Sequence, residues 1–107
     1  MRRSKPTAEA SLTRAIRGLL NSLGIWHFKH WGGPMGEPGV SDIIGCYHGR
    51  FMAIEVKAPS GKISEAQQAF IDSVNAAGGL AFVARSVDDV IECLGVQDRF
   101  LQYKVRP

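Results

Sequence analysis

The stretch VSDIIGCYHGRFMAIEVK, residues 40–57, decides how this chain folds. Two runs rich in β-forming residues flank His48-Gly49, a pair that predicts a tight turn. A hairpin closed at that turn places Asp42 directly opposite Glu55 on neighbouring antiparallel strands. Lys57 lies two residues beyond Glu55, so it is expected on the same face of the hairpin.

The opposed carboxylates of Asp42 and Glu55 predict a metal site. Like charges that face each other across two strands repel, and a divalent cation between them compensates. Hard oxygen ligands suit Mg²⁺ or Mn²⁺, and such a cation serves the hydrolysis of phosphodiester bonds. Lys57 could position the attacking water or stabilise the transition state. The alternative is a half-buried hairpin with solvated surface charges, and the opposed Asp42 favours the metal site.

Apolar periodicity predicts helices and further strands around this hairpin. The predicted elements are a helix that opens at Pro6-Thr7 and ends at Gly24, strands 25–31, 40–47 and 50–57, a helix 64–77, a strand 80–84 and a helix 86–94. The order α-β-β-β-α-β-α predicts a single α/β domain over residues 1–107. Residues 32–39 contain four glycines and two prolines, which predicts a mobile flap or a close approach of backbone to ligand.

Glu9 and Gln67 lie at the edges of apolar helix faces, and each has two interpretations. Glu9 is either an acid of the site, as a third metal ligand or through water, or a first-turn residue that complements the helix dipole. Gln67 shares a helix face with Phe70, which would point its amide toward the sheet. However, Ser64-Glu65-Ala66-Gln67 fits a capping box, and this pattern by itself favours the cap.

Composition narrows the class of protein. The formal net charge of +3 is a mild basic bias that suits a polyanionic partner. Basic residues occupy both ends, where they either lie along phosphates or are simply solvated: Arg2, Arg3, Lys5, Lys104 and Arg106. The sequence has no signal peptide, no long apolar run and no CxxC pair. We therefore expect an intracellular protein, cytoplasmic or associated with the nucleoid, with reduced thiols and no structural zinc.

Three motifs together resemble a known nuclease family. They are Gly39-Val40-Ser41-Asp42, Ile54-Glu55-Val56-Lys57 and Ile63-Ser64-Glu65-Ala66-Gln67. In this order and spacing they resemble the PD-(D/E)xK nuclease superfamily. Within it they are most similar to the virus-type replication-repair nuclease (VRR-NUC) family, in its minimal stand-alone form found in phages. The likeness runs from about Glu9 to Val83. Ser41 departs from the family, which has proline there, although serine can adopt the same extended backbone.

The resemblance implies a restriction-endonuclease-like α-β-β-β-α-β core, in which helices flank a mixed central sheet. It implies Asp42, Glu55 and Glu9 as metal ligands, and Lys57, Gln67 and Glu9 as catalytic residues, with Mg²⁺ or Mn²⁺ as the cofactor. It also implies a homodimer that acts on branched DNA such as Holliday junctions. A junction has two equivalent strands to cut, and a two-fold dimer supplies two sites.

The sequence therefore predicts a metal-dependent DNA endonuclease. One alternative is a nuclease-like fold that binds DNA or a protein partner without cutting, and the presence of Asp42, Glu55 and Lys57 argues against it. The other is an α/β domain unrelated to nucleic acid, in which the hairpin charges are only solvated. Cleavage with and without EDTA tests the first prediction, and DNA binding at two salt concentrations separates the alternatives.

Overall fold

The structure is a computed structural model that describes residues 7–32 and 36–97, so the basic tails named above lie outside the described residues. Its elements follow the predicted order. They are α1 Ala8–Ser22, β1 His27–Lys29, β2 Ile43–Tyr47, β3 Arg50–Val56, α2 Glu65–Ala76, β4 Leu80–Ala84 and α3 Val87–Leu94. Within the described residues, no helix is long and apolar enough to cross a membrane.

The β2–β3 hairpin has the predicted turn and register. His48 and Gly49 have φ angles of 50° and 78°, and positive φ at both positions is what a two-residue type I′ turn requires. Tyr47 consequently pairs with Arg50, and the ladder continues to the pair Ile43 and Ile54. The register that the sequence predicted is confirmed.

The sheet has the order β1-β2-β3-β4 and mixed pairing. β1 and β2 are antiparallel, as are β2 and β3, whereas β3 and β4 are parallel. The connection between the parallel strands contains α2, as a crossover requires. The predicted α/β class with a mixed central sheet and flanking helices is confirmed. β1 and β2 are shorter than predicted, since they occupy only part of the runs 25–31 and 40–47.

Apolar layers cover both faces of the sheet. One layer, against α1 and α3, includes Ile54 and Val56 of β3, which are 0% and 1% exposed. The other layer, against α2, includes Ala53 of the same strand. Side chains alternate along a strand, so Glu55 points toward α2 while its two neighbours anchor β3 in the main core.

Gly39 explains part of the glycine-rich segment before β2. Its φ is 83°, and a Cβ there would collide with the backbone carbonyl of Ala66 at the start of α2. Only glycine accommodates both the left-handed backbone and this close approach. The approach is therefore between two backbones of the protein. It fixes the segment that leads to Asp42 against the first turn of α2.

Candidate active site

Asp42 lies immediately before β2, one residue outside the ladder. Its Oδ2 accepts a hydrogen bond of 2.8 Å from the backbone N–H of Val56, and its carbonyl accepts one of 2.7 Å from His30 N. The sequence predicted a strand already at residue 40. The strand instead begins at Ile43, and at position 42 the carboxylate rather than a backbone carbonyl receives the Val56 N–H.

Glu55 is the buried acid of the site, with only 3% of its surface exposed. Its Oε2 accepts a hydrogen bond of 3.1 Å from Gln67 Nε2, whereas its Oε1 has no hydrogen-bond partner among the described residues. The pKa of Glu55 is raised from its ordinary value of 4.5 to about 8, first by burial of the carboxyl and then by the charge of Asp42 and a side-chain hydrogen bond with it. Lys57 acts in the opposite direction and Glu9 adds to the increase. At neutral pH this carboxyl therefore binds a proton unless a cation compensates its charge.

Gln67 performs both of the functions that the sequence left as alternatives. Its Oε1 accepts a hydrogen bond from Ser64 N at 2.9 Å, and Ser64 Oγ accepts one from Gln67 N at 3.1 Å, which completes the capping box. The other end of the same amide donates to Glu55. The cap therefore fixes the orientation of the group that holds the buried carboxylate.

Glu9 lies at the start of α1 and also beside the segment that follows β3. It lies in the first turn of α1, just after the N-cap Thr7, where a carboxylate complements the helix dipole. Its Oε2 also accepts a hydrogen bond of 3.3 Å from Ala58 N, in the segment that follows β3. Together with Asp42 it lines a cavity of about 300 Å³. The structure thus brings Glu9 to the same edge of the sheet as the hairpin acids.

Lys57 follows the last residue of β3 and is half-buried. Its backbone N–H donates to the carbonyl of Ala84 at 3.1 Å, which extends the parallel pairing with β4 by one residue. The positive charge of its ammonium group lowers the pKa of Glu55, so the two side chains interact electrostatically. All five predicted site residues therefore gather around the end of β3.

The carboxylates suit a cation at the Asp42 and Glu55 pair. Within residues 7–32 and 36–97, no three His, Cys, Asp or Glu side chains form a ready set of metal ligands. Mg²⁺ commonly uses one or two carboxylates and completes its shell with water and phosphate oxygens. Oε1 of Glu55, which is buried and has no partner in the described part of the chain, is the kind of acceptor that a cation would satisfy.

Arg85 is a residue of this region that the sequence analysis missed. Its Nη1 donates to the carbonyl oxygens of Ala58 and Gly61, both at 2.8 Å, and of Pro59 at 3.2 Å. These bonds hold the segment whose Ala58 N–H binds Glu9. A single arginine after a strand carries no sequence signal for this function, because its partners lie 24 to 27 residues earlier.

The mixed sheet with its flanking helices, and the carboxylates and lysine gathered at the end of β3, together define a nuclease-type α/β domain. The family model of the VRR-NUC domain matches residues 34–88, slightly more than half of the chain. The chain belongs to the VRR-NUC family. The matched region contains Asp42, Glu55, Lys57 and Gln67, whereas Glu9 lies before it. Membership implies a nuclease-type fold with DNA as its substrate.

A solved structure described as a VRR_NUC domain protein is similar to this chain. The likeness covers 89% of this chain and 91% of that chain, with a TM-score of 0.65 and 18% sequence identity. At this identity the comparison concerns the fold alone. No curated protein matches the chain.

Proposed function

We propose that this protein is an endonuclease that hydrolyses DNA phosphodiester bonds with Mg²⁺ or Mn²⁺ as its cofactor. The observation that carries the proposal is the carboxylate of Glu55. It is 3% exposed, lies beside Asp42, and has one oxygen without a partner among the described residues. Burial of an ionisable group without full pairing costs stability, and a strongly shifted pKa is typical of a functional site.

The residues of the site divide the chemistry among them. A divalent cation held by Asp42 and Glu55 would neutralise charge on the scissile phosphate and polarise the attacking water. Lys57 places an ammonium group beside this site, where it stabilises the negative charge that accumulates as the phosphorus gains a fifth oxygen.

The remaining two residues act on the carboxylates. Gln67 holds Glu55 through a hydrogen bond to Oε2, so the other carboxylate oxygen would be available to hold the cation. Glu9 is held by Ala58 N and contributes negative charge at the cavity wall, where it would help to hold the cation directly or through water.

The preferred substrate in this proposal is branched DNA such as a Holliday junction, and the active form is a homodimer. A two-fold dimer offers two sites to the two equivalent strands of a junction. Phe28 and Phe51 support association, because they are 45% and 47% exposed on the sheet face that carries α2. Light scattering with and without DNA measures this directly. A monomer under both conditions would contradict the dimer and leave the catalytic proposal intact.

Cleavage of a four-way junction and a linear duplex of matched sequence, each in Mg²⁺, Mn²⁺ and EDTA, tests the activity. We expect cleavage only with a divalent cation, and faster cleavage of the junction. Lys57→Ala should lose activity while it retains the fold and cation binding. Lys62→Ala, which removes an exposed lysine five residues later, is the matched control and should retain activity. Cleavage in EDTA would refute the mechanism, and equal cleavage of both DNAs would refute the preference for branches.

A further inference from the structure

A basic and aromatic groove lies between α1 and β1, next to the carboxylates. Its volume is about 630 Å³. Arg14, Arg17, Lys29 and Trp31 line it, and none of the described residues that line it is acidic. The groove therefore has the charge that complements a polyanion.

Trp31 is the most exposed large apolar side chain among those described, with 79% of its surface open to solvent. Lys29 Nζ lies 4.4 Å from the centroid of its ring, which places a cation over one face of the indole. The exposure leaves the opposite face available. Open aromatic faces between basic side chains are the means by which proteins bind single-stranded nucleic acid without base preference.

The arginines of α1 form a row along the same groove. Arg14 and Arg17 are three residues apart and therefore share one face of the helix. Arg17 Nε donates to His27 Nε2 at 3.3 Å, which holds its guanidinium group against β1. Lys29 follows His27 by two residues, so both point to the same side of the strand. The cations thus occupy both walls of the groove.

The groove continues into the carboxylate site. Lys29 and Trp31 also line the cavity that contains Glu9 and Asp42. Along α1 the groove extends from Ala10 to Asn21, about 17 Å of helix at 1.5 Å per residue. This length corresponds to roughly five stacked nucleotides at ~3.4 Å each. A strand of that length would lead directly to the acids.

We infer that the α1–β1 groove binds a single-stranded segment of the DNA substrate beside the scissile phosphate, with a base stacked on Trp31 and phosphates at Arg14, Arg17 and Lys29. This inference rests on the proposed nuclease function and refines its substrate. A paired duplex keeps its base faces inside the stack, whereas a strand that is unpaired at a flap or opened at the centre of a junction presents them. The groove would therefore select DNA in which such a strand enters the site.

Tryptophan fluorescence in EDTA tests the groove without cleavage. The chain has two tryptophans, and Trp26 lines neither the groove nor the carboxylate cavity. Trp26→Phe leaves Trp31 as the sole indole, and Trp31→Phe leaves Trp26. Addition of a twelve-residue oligothymidine should quench the fluorescence of Trp26→Phe and leave the fluorescence of Trp31→Phe unchanged. No quenching of Trp31, or equal quenching by a blunt duplex of the same length, would overturn the inference.

The second measurement is the affinity for the same oligothymidine, determined by fluorescence anisotropy in EDTA. Trp31→Ala should weaken binding roughly 5- to 100-fold, while Trp31→Phe, which retains an aromatic face, should stay within about threefold of wild type. Arg14→Gln with Arg17→Gln should reduce the slope of log affinity against log salt by about 1.4, since each phosphate contact on a single strand contributes about 0.7. An unchanged affinity and slope would refute the groove even if cleavage occurs. Quenching without any cleavage in Mg²⁺ or Mn²⁺ would refute the nuclease proposal instead.

Discussion

Replacement of Glu55 by glutamine should stabilise the metal-free protein at neutral and alkaline pH. The pKa of Glu55 is about 8 in the folded protein, against an ordinary value of 4.5. Between these two values the folded state binds a proton that the unfolded chain has released. The free energy of unfolding therefore falls as the pH rises from about 4.5 to 8, because deprotonation favours the unfolded chain.

The size of the effect follows from the two pKa values. Between pH 5 and pH 8, the difference corresponds to a loss of roughly 3 to 4 kcal/mol in the free energy of unfolding. Glutamine has a similar shape and does not ionise, so the free energy of unfolding of Glu55→Gln should lack this dependence on pH. A loss of this size is a large fraction of the stability of a small domain, which is typically about 5–15 kcal/mol.

Urea unfolding in EDTA at pH 5, 6, 7 and 8 measures how the free energy of unfolding changes with pH in the wild type and in Glu55→Gln. Glu65→Gln is the control, because Glu65 is an exposed acid in the first turn of α2 and should retain the wild-type slope. Mg²⁺ or Mn²⁺ should restore stability to the wild type at pH 8 by binding the folded state, and should not do so for Glu55→Gln. Parallel pH profiles for the wild type and Glu55→Gln would refute the buried, proton-binding state of this carboxyl.

Substitutions at three further positions, two of them with a matched comparison, test neighbouring features. Gly39→Ala should lower the free energy of unfolding by more than about 3 kcal/mol, whereas Gly49→Ala, which has a similar φ but open space, should cost about 1 to 2 kcal/mol. Equal losses in urea titrations would contradict the close packing of Gly39 on α2. Ser41→Ala should raise the free energy of unfolding by about 1 kcal/mol, because Ser41 Oγ is buried without a partner among the described residues; a lower midpoint in thermal unfolding would oppose this. Arg85→Ala should reduce kcat about tenfold or more with KM nearly unchanged, and Arg85→Lys should recover part of it through its three donors, whereas a change in KM alone would refute a positioning function.

The hairpin part of the site was predictable because its geometry is local. A two-residue turn at His48-Gly49 sets the register, and the register propagates to Ile43 and Ile54 without help from the rest of the chain. Side chains alternate along a strand, so Ile54 and Val56 lie in the main core and Glu55 lies on the opposite face of the sheet. The sequence predicted the start of β2 too early, since a pattern of residue types does not show that the Asp42 carboxylate binds a backbone amide.

The remaining features depend on how distant elements pack. The Gln67 amide can bind Glu55 and Ser64 together only when α2 lies on the corresponding face of β3. The sequence therefore left the helix cap and the contact with the site as alternatives, whereas the folded protein has both. Arg85 and Trp31 gave no periodic signal. Their importance arises from carbonyl groups and a helix face that tertiary structure brings beside them.

Two acids of the site are anchored by the main chain. Val56 N–H holds Asp42 and Ala58 N–H holds Glu9, and the two donors are two residues apart in one segment. Every amino acid except proline supplies this donor. Substitution of the side chains at these two donor positions therefore leaves the hydrogen bonds that orient Asp42 and Glu9 in place. At positions 56 and 58, by contrast, proline would remove the donor and leave the acid intact.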